Sequence, residues 1–369
     1  MSFMPIPVFN PTIGRKDMDS VLTCMVSDLI GPGELNDNLI DKLSLHFPHS
    51  GGICLRDSLR ALEVALSVLL ENKTISEGSS VLISALAPSY YYQVITKLNL
   101  NALVCDVDPL TAVMSQEELT KKAQYASLII VDYPIGNYPP IELLRSFSIP
   151  IIEDVSCAVG SANVISSSND ENETTASETA IETNTTKFIP GTLGSYVILS
   201  MEANHLITSG GGAVLLASSR GDYQKLHKYS TTLDNSLFLP DINAALAVVQ
   251  TSSLASRLTK RENYFNLFAS QVKKSHHKMM KTTGELNNFF YSFPLVIEVG
   301  MSDVVAYAKK KGVETALAFE NCVLDLIDPD GNQFPSALSV KLKTILFPLY
   351  SLLGSANATL IGKVLLTLP

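Results

Sequence analysis

Several things are scarce in this 369-residue sequence, and each scarcity excludes something. Charged residues make up only 17% of it, the net charge is −9, and lysine and arginine form no block. Nucleic acid is thereby excluded as the main partner, because phosphate backbones are held by clustered cations. The five cysteines (Cys24, Cys54, Cys105, Cys157 and Cys322) are odd in number and scattered, with no CxxC pair. Neither a disulfide framework nor a zinc site is indicated, and a reduced cytoplasm is the expected setting. Long apolar runs are also missing: Leu59 to Leu70 is broken by Arg60 and Glu63, so no membrane span is expected. The first ten residues have neither a cationic start nor an apolar stretch, which argues against a signal peptide.

What is present in quantity is apolar residue, 46% of the chain. At this length that supports a large domain plus a smaller one, expected at residues 1–255 and 256–369. Helical spacing runs from Asp17 to Leu29 and stops at Gly31-Pro-Gly33, and a second helix is expected from Asn36 to His46. A short strand, Ile53 to Leu55, precedes Asp57, which reads as the cap of a helix from Ser58 to Leu70. Its first amides could hold an anion. Strands and helices then alternate. Val81 to Ser84, Ala102 to Asp106, Leu128 to Asp132 and Pro150 to Asp154 are short and apolar, the pattern of buried parallel strands. Ser166 to Lys187, rich in Ser, Thr, Asn and Glu, reads as a mobile surface insertion. One long helix is expected from Pro240 to about Leu267, then a strand from Phe289 to Glu298 and a helix from Ser302 to Lys311.

The most informative stretch lies between Ile151 and Gly212. It pairs an apolar run ending in Glu153 and Asp154 with a second strand, Tyr196 to Leu199, followed by Ser200, Asn204, His205 and Gly210-Gly-Gly212. An acid at one buried strand end, and a hydroxyl and a basic side chain just past another, are what an open α/β sheet places at its carboxyl edge to hold a small molecule.

These residues resemble a known family, the DegT-type sugar aminotransferases, pyridoxal-phosphate enzymes of the aspartate-aminotransferase fold. Asp106-Val-Asp108-Pro is similar to the family's Asp-Val-Asp-Pro. Ile152-Glu-Asp-Val-Ser-Cys-Ala158 resembles its Ile-Glu-Asp-Ala-Ala-Gln-Ala. Gly191-Thr-Leu-Gly194, with Ser200 six residues on, resembles Gly-Ser-Leu-Gly-Asp leading to Ser-Phe. Asp241-Ile-Asn-Ala-Ala245, with Gln250 and Arg261, resembles a family helix, and Gly312-Val-Glu-Thr315 and Phe347-Pro-Leu-Tyr350 resemble parts of the small domain. The resemblance implies a type I fold: a mostly parallel sheet, seven-stranded in type, between helices, followed by a smaller α+β domain. It also implies a homodimer whose subunits build each site together, and a nucleotide-linked sugar as ligand.

By the same resemblance Asp154 pairs with the cofactor's pyridine nitrogen and Tyr90 stacks on its ring, with Tyr91 and Tyr92 as alternatives. Ser200 contacts the phosphate. Ser58 stands where the family has Ser-Gly-Thr at a helix start, though Asp57 brings a negative charge there. Cys157 replaces the Gln near the cofactor hydroxyl. The largest departure is at the Schiff-base lysine: counting from Ser200 reaches His205, and counting back from Gly211-Gly212 reaches Asn204. Neither can form the lysine's covalent link. Three readings follow. One is a non-catalytic or cofactor-altered homologue tied to nucleotide-sugar or polysaccharide biosynthesis. Another is a dehydratase-like enzyme using pyridoxamine phosphate with His205 as base, as the family's sugar 3-dehydratases do. The last is an ordinary aminotransferase, needing a lysine such as Lys187, Lys225 or Lys228. Pyridoxal or pyridoxamine phosphate bound without a covalent link, or no cofactor at all, is expected accordingly; no metal is.

Overall fold

A computed structural model of the chain describes residues 5–28, 30–161, 163–166, 185–283 and 291–369. Its centre is a seven-stranded sheet. The strands are β1 (Gly51–Leu55), β2 (Ser80–Ser84), β3 (Asn101–Cys105), β4 (Leu128–Asp132), β5 (Ile151–Asp154), β8 (Tyr196–Ser200) and β9 (Ala213–Ala217), in the order β1-β9-β8-β5-β4-β2-β3. From β3 to β8 all neighbours are parallel, whereas β9 runs antiparallel to both β8 and β1. The expected strands are therefore found within a residue or two of their places, because runs such as Leu128-Ile-Ile-Val are buried on both faces. Between β5 and β8 lies a hairpin of β6 (Asn163–Ser166) and β7 (Thr185–Phe188).

Helices cover both faces of the sheet. They are α1 (Arg15–Val26), α2 (Glu34–Leu43), α3 (Ser58–Glu71), α4 (Tyr90–Lys97), α5 (Gln116–Ala123), α6 (Ile141–Ser146), α7 (Arg220–Ser230) and α8 (Asp241–Ser252). Leu62, Ala65, Leu66 and Leu69 of α3 bury an i, i+3, i+4, i+7 stripe against the sheet. Asp57 accepts the Arg60 amide at 2.7 Å, the N-cap role its position suggests.

A second, four-stranded sheet has the order β10-β11-β13-β12, with β10 (Lys278–Met279), β11 (Phe293–Val296), β12 (Ala316–Leu317) and β13 (Thr344–Phe347). It packs with α9 (Leu254–Val272), α10 (Met301–Lys310) and α13 (Ser355–Leu366) around Phe268, Phe293 and Phe347. Between these lie α11 (Val323–Ile327) and α12 (Pro335–Lys343), which return to the large sheet: Asp106, just past β3, accepts the Ser336 and Ala337 amides at the start of α12. No helix among the described residues is long and apolar enough to cross a membrane.

Three expectations need correction. The long helix from Pro240 is two helices, α8 and α9, separated at Ser253, whose φ of −99° and ψ of 0° end the first; α9 runs through position 255. The expected loop from Ser166 to Lys187 is strand at both ends, Ser166 pairing with Thr185, because those ends find backbone partners in each other; residues 167–184 lie outside the described residues. The strand expected from Phe289 is confined to Phe293–Val296, and residues 284–290 also lie outside the described residues.

Strand alternation sends Glu153 and Asp154 to opposite faces of β5. Glu153 is fully buried and accepts the amides of Gly191 (2.6 Å), Leu193 (2.9 Å) and Gly194 (3.3 Å), together with the Tyr133 hydroxyl. It thus ties the loop before β8 to the sheet. Gly194 sits so close to β5 that a Cβ there would lie 2.8 Å from the Ile151 carbonyl oxygen. Glu153→Ala strands four donors, three of them in buried hydrogen bonds, and is expected to lower stability by about 3 kcal/mol or more, read from denaturant unfolding.

Candidate active site

The carboxyl ends of β4, β5 and β8 open into a cavity of about 380 Å³. Asp132, Asp154 and Ser200 terminate those strands and line it, as do Ser58 at the start of α3 and Tyr90 and Tyr91 at the start of α4. The far wall, Ala318 to Cys322, is held by main-chain bonds from Ser89 to Asn321 and from Val323 to Ala87. Two lining residues, Ile135 (φ 55°) and Asn321 (φ 55°), have left-handed backbones. For the β-branched Ile135 that conformation is strained.

Asp154 is the organised centre. Its carboxylate accepts the Tyr91 hydroxyl at 2.8 Å, the Tyr90 hydroxyl at 3.2 Å, the Ser156 amide at 3.0 Å and the Ser156 hydroxyl. The Ser156 oxygen in turn accepts the Ser200 amide at 2.8 Å, so β5 and β8 end in one hydrogen-bonded unit. Tyr90 and Tyr91 both face the cavity and meet edge to face at 5.0 Å; Tyr92 is not part of the lining.

His205 lies on the same wall, with its ring 6.0 Å from that of Tyr291. Burial lowers its pKa below the ordinary 6.5, against the opposing pull of Asp154, Glu202 and a bond to the Ser156 backbone. Asn204 is exposed and lies outside the cavity, so of the two residues reached by counting, His205 is the one beside Asp154. Cys157 pairs with the Tyr291 hydroxyl, and burial raises its thiol. Among the described residues none that lines the cavity is lysine or arginine. Lys225 and Lys228 are exposed on α7, and nothing is described of the Lys187 side chain.

Three polar atoms here have no hydrogen-bond partner although they are buried: Ser58 Oγ, Ser200 Oγ and His205 Nδ1. Buried polar groups are nearly always satisfied, so three orphans among the residues of one cavity are atoms that a ligand could satisfy.

The sequence matches the profile of the DegT/DnrJ/EryC1/StrS aminotransferase family over residues 11–365. The chain belongs to that family. Three solved structures share its fold over nearly their whole lengths. Spr1654 of Streptococcus pneumoniae in a PLP form is 17% identical, with a TM-score of 0.81 and 98% of each chain covered. The Escherichia coli GDP-4-keto-6-deoxy-D-mannose-3-dehydratase with bound hydrated PLP is 14% identical, with a TM-score of 0.80 and coverage of 98% of this chain and 100% of that one. The sugar aminotransferase CalS13 of Micromonospora echinospora is 15% identical, with a TM-score of 0.79 and coverage of 98% and 99%. At such identities the likeness establishes the fold. A comparison with curated protein sequences finds no match.

Sequence reasoning missed Asp132, Ser156 and Tyr291. Asp132 has a signal that could have found it: it ends an apolar run as Asp154 does, in register with it on the neighbouring strand. Burial, with the Asp154 charge added, pushes the Asp132 carboxyl up to about 7. Free aspartate titrates near about 3.9. The folded protein therefore holds this proton more tightly than the unfolded chain does, and the contribution to stability is complete at low pH and lost as pH rises through about 7. Asp132→Asn is expected to raise the melting temperature at pH 8 and to leave it nearly unchanged below pH of about 4.

Proposed function

We propose that the cavity binds pyridoxamine or pyridoxal phosphate without a covalent bond and that His205 moves a proton on a nucleotide-linked keto-sugar, making the protein a 3-dehydratase-like enzyme. The observation that carries this reading is the set of orphaned atoms, Ser58 Oγ, Ser200 Oγ and His205 Nδ1, around the fully hydrogen-bonded Asp154. An abandoned site would be expected to fill with apolar side chains or to satisfy its own donors.

The residues fit the group. Ser58 and Ser200 offer hydroxyls to a phosphate, and the first turn of the 14-residue helix α3 offers amides and the positive end of its dipole. Asp154 would face the pyridine nitrogen. When bound, such a cofactor supplies an electron sink for charge developing on carbon. Tyr90, Tyr91 and Ser156 orient Asp154, and Cys157 with Tyr291 fills the side towards His205. With its pKa below 6.5, His205 is neutral at pH 7 and free to accept a proton at Nδ1. Among the described lining residues the lysine of ordinary family members has no counterpart, which supports a mechanism without it.

A second reading, binding without turnover, is favoured by one feature. Asp57 takes the Arg60 amide and sets a carboxylate at the helix end where the phosphate would sit. Calorimetric and absorbance titration with both cofactor forms tests the common core of the two readings. Binding of the amine form, weakened at least about tenfold in Asp154→Asn, is the expected result. His205→Lys is expected to gain a borohydride-reducible covalent link to pyridoxal phosphate. Absence of binding to both forms would sink the proposal, and cofactor binding with no dehydration of any 4-keto-6-deoxy nucleotide sugar would favour the second reading.

We also propose a homodimer. Met18, Leu22, Met25 and Val26 lie at i, i+4, i+7 and i+8 on α1, each more than half exposed, with Ile30 beyond them. An apolar stripe of this kind suits a contact with a second copy. Light scattering should give twice the chain mass of 39.9 kDa, and Leu22→Glu with Met25→Glu should shift the protein towards monomer.

A further inference from the structure

The cavity holds two strand-end carboxyls in very different circumstances. Asp132 and Asp154 are register partners on the parallel strands β4 and β5, so both project from the same face of the sheet into one cavity. Asp154 receives four hydrogen bonds. Among the described residues, Asp132 is reached only by its own backbone amide. Two carboxyls on adjacent strands cannot both be charged cheaply, and the one with fewer donors is the one that keeps a proton.

We propose that Asp132 is the acid of this cavity, carrying the proton that complements His205 as base. The proposal rests on the dehydratase-like reading above. When the hydroxyl is lost, the C–O bonding pair leaves with oxygen, and Asp132 gives its proton to that oxygen, which departs as water. The electron pair that replaces it would be supplied by the amine cofactor, from a C–H bond whose proton His205 Nδ1 takes, so the sugar is reduced by two electrons and the amine cofactor is the two-electron reductant. One proton then returns from His205 to Asp132 through solvent.

The surrounding groups agree with this division. Among the described residues the titratable neighbours are Tyr133 next to β4, Asp154 and Cys157 at and after the end of β5, Glu202 and His205 from the segment after β8, Tyr90 and Tyr91 from α4, Tyr291, and Glu320 and Cys322 from the far wall. Burial, with the Asp154 charge added, favours the protonated carboxyl and displaces Asp132 to about 7, and among the described lining residues no lysine or arginine offsets it. Burial works in the opposite sense on the imidazole, leaving it unprotonated. Near neutral pH the cavity thus holds one proton to give and one place to take one.

The test is an infrared pH titration of the full-length protein beside Asp132→Asn and Asp132→Glu, with pyridoxamine phosphate affinity followed over the same pH range. A protonated-carboxyl band should fade with a midpoint near 7, vanish in Asp132→Asn and return, shifted, in Asp132→Glu. The ratio of wild-type to Asp132→Asn affinity should fall by up to about tenfold per pH unit above that midpoint, because one proton is retained on binding. A protein that binds the cofactor but shows no carboxyl titrating above pH of about 5, or no change in that ratio, overturns the assignment. If the cofactor does not bind while the band is present, the dehydratase-like reading fails and the proton on Asp132 stands.

Discussion

Two neighbouring carboxylates on opposite faces of one strand hold this structure together at its functional end. Glu153 and Asp154 both lie deep in the protein, where an unsatisfied charge is prohibitively costly, and each is met by several donors. Glu153 draws the Gly191–Gly194 loop against β5 and so sets the register of β8. Asp154, through Ser156, fixes where β8 ends and therefore where Ser200 sits. The cavity is shaped by these local bonds rather than by the distant packing of the second sheet.

That division of labour explains what could be read from the sequence. The parallel strands are visible because burial on both faces leaves unbroken apolar runs such as Ile129-Ile-Val131, and the α3 cap is visible because Asp57 precedes a helical stripe. Asp154, Ser200 and His205 are legible because each stands just past such a run. What the sequence hides is contact across long separations. Nothing in it says that Tyr91 reaches Asp154, that Tyr291 meets Cys157, or that Asp132 lines one cavity with Asp154 and His205. The break at Ser253 is equally hidden, because serine is compatible with a helix and only its backbone angles end one.

The electrostatic character of the cavity also follows from this plan. Among the described residues Asp132, Asp154, Glu202 and Glu320 line it without a lysine or arginine, so the phosphate-bearing group proposed there would rely on hydroxyls, amides and a helix dipole. Such neutral donors hold an anion without fixing a counter-charge beside it.

The hairpin of β6 and β7 has a consequence for how the sequence is free to change. Because Ser166 and Thr185 are register partners in this antiparallel hairpin, the positions on either side of residues 167–184 are already side by side in the fold. A change in the number of residues between them would leave β5 and β8 side by side and the strand-end acids untouched. The polar, repetitive composition at this point therefore sits where the protein can absorb insertions without disturbing its chemistry.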